Sequence, residues 1–174
     1  MNNDINIFLE KQLETVNKWL SFAEAKNAAI IAFSGVMLKL AFDVYVKHNF
    51  SVWLIGAILL FTLSMLLSLI SFLPSLTNKP EANESEEQID ENVNLLYFGD
   101  IARFSNEHIF IECIKKKYFD KDTKIIIDTK TIDLAKELII NSTIAVNKYQ
   151  KFTRSLRCSI IGLLGVVISV LFSV

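Results

Sequence analysis

Helix breakers are scarce in this chain, whose 174 residues include two prolines and five glycines. Gly35, Gly56, Gly162 and Gly165 lie inside long apolar runs, and Pro74 and Pro80 follow the second run, leaving only Gly99 elsewhere. A fold of many short strands needs frequent turn residues, so their scarcity favours long helices. Cysteine is equally rare: Cys113 and Cys158 have no metal-ligand spacing, which indicates neither a disulfide framework nor zinc. His48 and His108 have no serine, cysteine or carboxylate neighbour at a spacing that makes a nucleophile or a metal site. The carboxylates cluster together or alternate with lysines, the pattern of a solvated surface rather than of an acid/base pair. These absences predict no enzyme activity, no cofactor and no metal. A net charge of -1 supplies no basic field, which argues against duplex nucleic acid as a partner.

Apolar residues are what the chain has in excess. They make up 52% of it, and the mean hydropathy is positive, unusual for a small soluble protein. The excess sits in three runs, Asn27 to Val46, Val52 to Leu73 and Cys158 to Val174. The second holds 22 residues without a charge, and at about 1.5 Å of rise per residue it just exceeds a hydrocarbon core of ~30 Å. The third offers 17 residues, enough to span with little tilt. Asp4, Glu10 and Glu14 near the N-terminus argue against a cleavable signal, so the first span acts as its own insertion signal.

The expected fold is an all-α membrane protein with three transmembrane helices and a helical cytoplasmic domain, formed by the N-terminal helix and the segment between spans 2 and 3. The expected divisions are a cytoplasmic amphipathic helix over 1–26 and a transmembrane hairpin over 27–76, with spans about 27–46 and 52–73. An acidic linker over 77–92, a cytoplasmic helical sensor domain over 93–157 and a C-terminal transmembrane helix over 158–174 follow. Leu9, Leu13, Val16, Leu20 and Ala23 alternate spacings of four and three, a seam that packs on partner helices and continues into the first span. Beyond the linker the pattern predicts a helix from about Ile89 to Phe104, then Ser105 as N-cap of another through Ile109, Phe110, Cys113, Ile114 and Tyr118. Lys115, Lys116 and Lys117 suit that helix's negative C-terminal end. The β-branched segment 124–129 is open to one short strand. A last helix starts near Thr131, with Ile132, Ala135, Ile139, Val146 and Tyr149 on one stripe, and runs unbroken into the third span. Lys18, Lys26, Lys79, Lys148, Lys151, Arg154 and Arg157 outweigh the loop around Lys47, which places the N-terminus and the middle region in the cytoplasm.

Inside the first span, Lys39 and Asp43 stand four residues apart on one helical face, where an intramembrane charge costs at least ~2.5 kcal/mol. They form either a pore-lining or interhelical pair, or an ion pair that snorkels to the outer interface. Gly165, Ser169 and Ser173, like Ser64 and Ser68, recur every four residues and let helices approach closely, within one chain or between copies. Two segments outside the spans mix aromatic and polar groups: Leu95 to Ala102, and Asn141 to Tyr149. Phe98 and Tyr149 can stack on a base, Arg103 and Lys148 can meet phosphate, and Asn141 with Ser142 can read ring edges. The alternative is that Phe98 and Tyr149 are bundle core, with Gly99 permitting close packing.

Together with Phe22-Ala23-Glu24-Ala25-Lys26-Asn27-Ala28-Ala29, and in the same order, these segments resemble the transmembrane effector family of Pycsar-type bacterial antiphage systems. In that family an alanine- and lysine-bearing helix leads into a hairpin of spans. A phenylalanine-glycine motif then begins the cytoplasmic part, and an asparagine/serine to lysine-tyrosine segment leads into the last span. The resemblance implies a membrane effector that senses a cyclic nucleotide, mono- or dinucleotide, made by a partner cyclase, and that impairs the bacterial inner membrane when triggered. It also implies ligand contacts at Lys26, Asn27, Phe98, Gly99, Asp100, Arg103, Asn141, Ser142, Lys148 and Tyr149. The lipid bilayer and further copies of the chain, as a homo-oligomer, are the other expected partners. A reading from another class is a constitutive membrane-anchored scaffold or adaptor that binds another protein through its cytoplasmic helices.

Overall fold

The computed structural model describes residues 2–47, 52–73, 93–119 and 127–172. The acidic linker 77–92, Pro74, Pro80 and His48 lie outside the described residues. Among the described residues the helices are, in order, α1 (Asn2–Lys47), α2 (Val52–Ile70), α3 (Phe98–Ile101), α4 (Glu107–Tyr118) and α5 (Thr129–Phe172). There is no strand among the described residues. Within 124–129, residues 124–126 are outside them, Ile127 and Asp128 are irregular, and Thr129 opens α5. The fold is all-α, and α1, α2 and α5 are each long and apolar enough to cross a membrane. Two compact units share α1 and α5: a first of Met1–Ser21 with Ser75–Val146, and a second of Phe22–Pro74 with Asn147–Val174.

In the first unit α1 buries Ile5, Leu9 and Val16, while Leu13 and Leu20 are half-buried. Opposite them α5 buries Ala135, Leu138, Ile139 and Ala145, and α4 adds Phe110, Ile111 and Ile114. The buried face of α5 is turned from the predicted stripe. Thr131, Leu138, Ser142 and Ala145 point inward, while Ile132 and Val146 are half-buried. Polar Thr131 can sit inside because its hydroxyl lies 2.7 Å from Asp128 Oδ1 and 2.8 Å from Asn6 Oδ1. Asp128 also accepts the Thr131 backbone N–H at 2.8 Å, capping the start of α5.

Two other expectations give way. Over the described part of 89–104 the chain forms only the single turn α3, flanked by turns. Asn94 Oδ1 accepts the Leu96 N–H and Asp100 Oδ2 accepts the Asn94 N–H, local bonds that compete with helix. The cap of α4 is Asn106 rather than Ser105: its Oδ1 accepts from the backbone of His108 at 2.8 Å and of Ile109 at 3.4 Å.

The second unit is a bundle of the later part of α1, the whole of α2 and the later part of α5. Its outer face is apolar, with Leu59, Leu63, Leu66, Ile160, Leu164 and Val167 exposed. Its interior holds serines. Ser34, Ser64 and Ser159, one from each helix, lie within 3.2 Å of one another, and Ser64 also donates to the Ser155 carbonyl at 2.8 Å. Mutual hydrogen bonds of this kind hold helices together where lipid supplies no hydrophobic contrast, at about 0.6 kcal/mol each. Glycine brings α5 and α2 close: a Cβ on Gly165 would stand 3.3 Å from the Trp53 carbonyl, and one on Gly162 3.2 Å from the Phe61 ring.

Candidate functional site

Each unit positions its own share of the residues singled out above. In the first unit α3 starts at Phe98, a buried ring 4.9 Å from Tyr97 and 5.9 Å from Trp19, centre to centre. Tyr97 and Trp19 are 50% and 45% exposed, so the buried Phe98 backs two aromatic faces that solvent can reach. Gly99 lies beneath the Tyr97 ring, where a Cβ would stand 2.8 Å from Tyr97 Cζ. Asp100 holds the preceding loop through the Asn94 N–H, which leaves it a structural job. Arg103 is exposed just beyond α3. On α5, Asn141 donates to Asn17 Oδ1 of α1 at 3.0 Å. Ser142 is fully buried, and its hydroxyl has no hydrogen-bond partner among the described residues.

The second unit gathers Lys26, Asn27, Lys148 and Tyr149. Lys148 is 13% exposed, and its ammonium lies 2.8 Å from Glu24 Oε1 and 5.8 Å from the centre of the Phe72 ring. Asn27 is buried and donates to the Ala23 carbonyl at 2.9 Å and to the Lys148 carbonyl at 3.3 Å. Lys26 sits among three rings, 4.8 Å from Phe22, 5.2 Å from Tyr149 and 5.5 Å from Phe152. A cation over an aromatic face is stabilised by about 0.5–2 kcal/mol, more as water is excluded. These four residues join α1 to α5 through contacts of both charge and shape.

Lys39 and Asp43 form an ion pair of 2.9 Å on the outer surface of the second unit, with side chains 77% and 47% exposed. The pair therefore faces away from the bundle interior. Among the described residues no cluster of three or more histidine, cysteine or carboxylate side chains could hold a metal.

Trp19 and Glu24 are not among the sequence candidates. Trp19 carries a readable signal, a large aromatic on the polar side of an amphipathic helix. Glu24 carries none, since nothing in its spacing shows that Lys148 comes within reach.

The arrangement offers stackable rings in the first unit, with Arg103 exposed a few residues further along the chain, and an aromatic-lined cation cluster in the second. Residues 8–174 match the Pycsar effector protein domain. The chain is also similar to the Pycsar effector protein RsPycTM of a Rhizobium species, 31% identical over 144 residues, covering 75% of this chain and 74% of that protein. No solved structure matches it.

Proposed function

The chain belongs to the Pycsar effector family of antiphage defence, as a membrane protein, and on that premise we propose that it is a cyclic-nucleotide-regulated effector that impairs the inner membrane. It acts without catalysis, as a homo-oligomer, with the first unit in the cytoplasm. A cyclic mono- or dinucleotide from a partner cyclase is the signal.

The observation that carries this reading is the pair of exposed rings, Trp19 and Tyr97, set on Phe98 with Arg103 close by in the chain. An isolated soluble surface seldom presents two large aromatics together unless something covers them. A base stacks on such rings, and a guanidinium meets phosphate. Because α1 and α5 supply residues to both units, a ligand that repacks them in the first unit has a helical route into the second.

The test is binding of cyclic mono- and dinucleotides to the purified full chain, paired with a voltage-sensitive dye in cells that do or do not express the partner cyclase. Base stacking is worth about 1–3 kcal/mol per base, so Trp19→Ala or Tyr97→Ala weakens binding by about 5- to 150-fold. The same variants leave cells polarised when the cyclase is active. Unchanged affinity in both variants moves the ligand elsewhere. No potential change with any nucleotide, despite stable insertion, favours the scaffold reading.

A further inference from the structure

We propose that the interior of the second unit is a water-filled half-channel, lined by Asn27, Ser34, Ser64, Ser68, Ser155 and Ser159 and stopped by Phe61. All six lining residues are buried within the three-helix bundle, while the faces turned outward carry leucine, isoleucine and valine. Ser34, Ser64 and Ser159 satisfy one another. The hydroxyls of Ser68, Ser71 and Ser155 and the amide oxygen of Asn27 do not: they are buried with no hydrogen-bond partner among the described residues.

The threonines of this chain show where a helical hydroxyl with no other partner turns. Thr15, Thr62, Thr143 and Thr153 each donate to the carbonyl four residues back, at 2.8–3.0 Å. Helical Ser68 and Ser155 do not make that bond, and neither does Ser71 in the turn after α2. Their hydroxyls turn instead toward the bundle interior, on the faces set by Ser64-Ser68-Ser71 and Ser155-Ser159. Several convergent polar groups in need of partners are what holds a buried water.

The lining changes character along the bundle. From Asn27, Ser71 and Ser155 inward the buried side chains are polar as far as Ser34, Ser64 and Ser159, Ile30 apart. Beyond that level the buried positions are Ala41, Leu54, Ala57 and Phe61, with the Phe61 ring against buried Gly162, and Ser169 is the one buried polar side chain there among the described residues. A hydrophobic constriction of this kind closes a path by excluding water. The polar half lies toward the end of the bundle that carries Lys148 and Lys151 and ends at Phe61. Neutral oxygens with lone pairs to spare suit protons and small monovalent cations, so those are the species that pass when Phe61 withdraws.

The hydration rests only on the three helices spanning a membrane. The use of Phe61 as a gate rests on the membrane-impairing reading above, so the experiment separates them. The full chain, with Cys113→Ala and Cys158→Ala, receives one cysteine at a time at Ser68, Ser155, Ala57 or Leu66. Membrane vesicles are treated with silver ion, which travels through water, and unreacted thiol is counted after denaturation. Thiol reactivity requires the solvated thiolate, so Ser68→Cys and Ser155→Cys react about tenfold or more faster than lipid-facing Leu66→Cys. Ala57→Cys stays as slow as Leu66→Cys, and adding Phe61→Ala makes it fast. Cells carrying Phe61→Ala alone lose membrane potential without any cyclic nucleotide. Slow reaction of both Ser68→Cys and Ser155→Cys overturns the half-channel. Fast reaction of Ala57→Cys with Phe61 intact overturns the plug, as does full potential in Phe61→Ala cells when the Ala57→Cys thiol reacts quickly in the same background. The expected labelling pattern in a protein indifferent to every nucleotide would sink the nucleotide reading and leave this one standing.

Discussion

The contact between Lys148 and Glu24 shows what a single residue decides here. Lys148 is largely buried and Glu24 half-exposed, so the two carry unequal burial costs. Removing the lysine's charge leaves a carboxylate that water can solvate. Removing the carboxylate's charge leaves a mostly buried ammonium with one strong acceptor fewer, which costs about 1–3 kcal/mol. Glu24→Gln therefore lowers the melting temperature of the detergent-solubilised protein by several degrees, and Lys148→Met lowers it less. Equal losses would show that the pair acts by its charge alone, with no part for the burial of Lys148. Gly99 illustrates the same scale from the opposite side: it was legible as a place for close packing, but its actual neighbour, the Tyr97 ring, was not.

At the scale of the element, α5 and α1 run in parallel with a nearly constant register. In the first unit Asn6 meets Thr131 and Asn17 meets Asn141, offsets of 125 and 124. In the second Asn27 meets Lys148 and Ser34 meets Ser159, offsets of 121 and 125. The start of α5 is held by groups that titrate. Hydrogen bonds from Thr131, side chain first and backbone second, hold the Asp128 carboxyl below the ordinary aspartate value. A hydrogen bond from Lys130 to Glu10 raises the Lys130 ammonium above its ordinary value. For Asp128 the folded pKa is the lower one, so its stabilisation is complete above the unfolded value and is lost as pH falls through the folded value. For Lys130 the folded pKa is the higher one, so its contribution is complete below the unfolded value and is lost as pH rises through the folded value. Thermal unfolding across pH in detergent therefore shows a loss on the acid side that Asp128→Asn flattens, because the amide keeps an acceptor but no longer titrates. An acid limb identical in Asp128→Asn would assign that loss to other carboxylates. The starts of long helices were readable to within a few residues, but caps were not. Ser105 and Asn106 are adjacent and both good caps, and only the backbone path selects Asn106.

For the whole molecule, the decisive feature is that α1 and α5 build both units. If the signal travels along these helices, a flexible Gly/Ser insertion after Ser21 in α1 and after Val146 in α5 leaves nucleotide binding intact and abolishes the depolarisation it triggers. Depolarisation that survives both insertions would mean that the signal does not depend on the continuity of either helix. The all-α class and the three helices long and apolar enough to span a membrane were legible before any packing, because hydropathy and the shortage of turn residues follow from composition along a line. The unbroken passage of α5 into the last apolar run was legible too, since no helix breaker interrupts it. Which faces turn inward emerges only from the packing of the helices. In a soluble helix the apolar side marks the core, and the seam of Ile5, Leu9 and Val16 obeys that rule. In a span, lipid and protein interior are equally apolar, so hydropathy cannot separate the outward Leu63 and Leu66 from the inward Phe61. The serines could have faced either way on pattern alone, and it is the approach of α1, α2 and α5, close at Gly162 and Gly165 of α5, that encloses them.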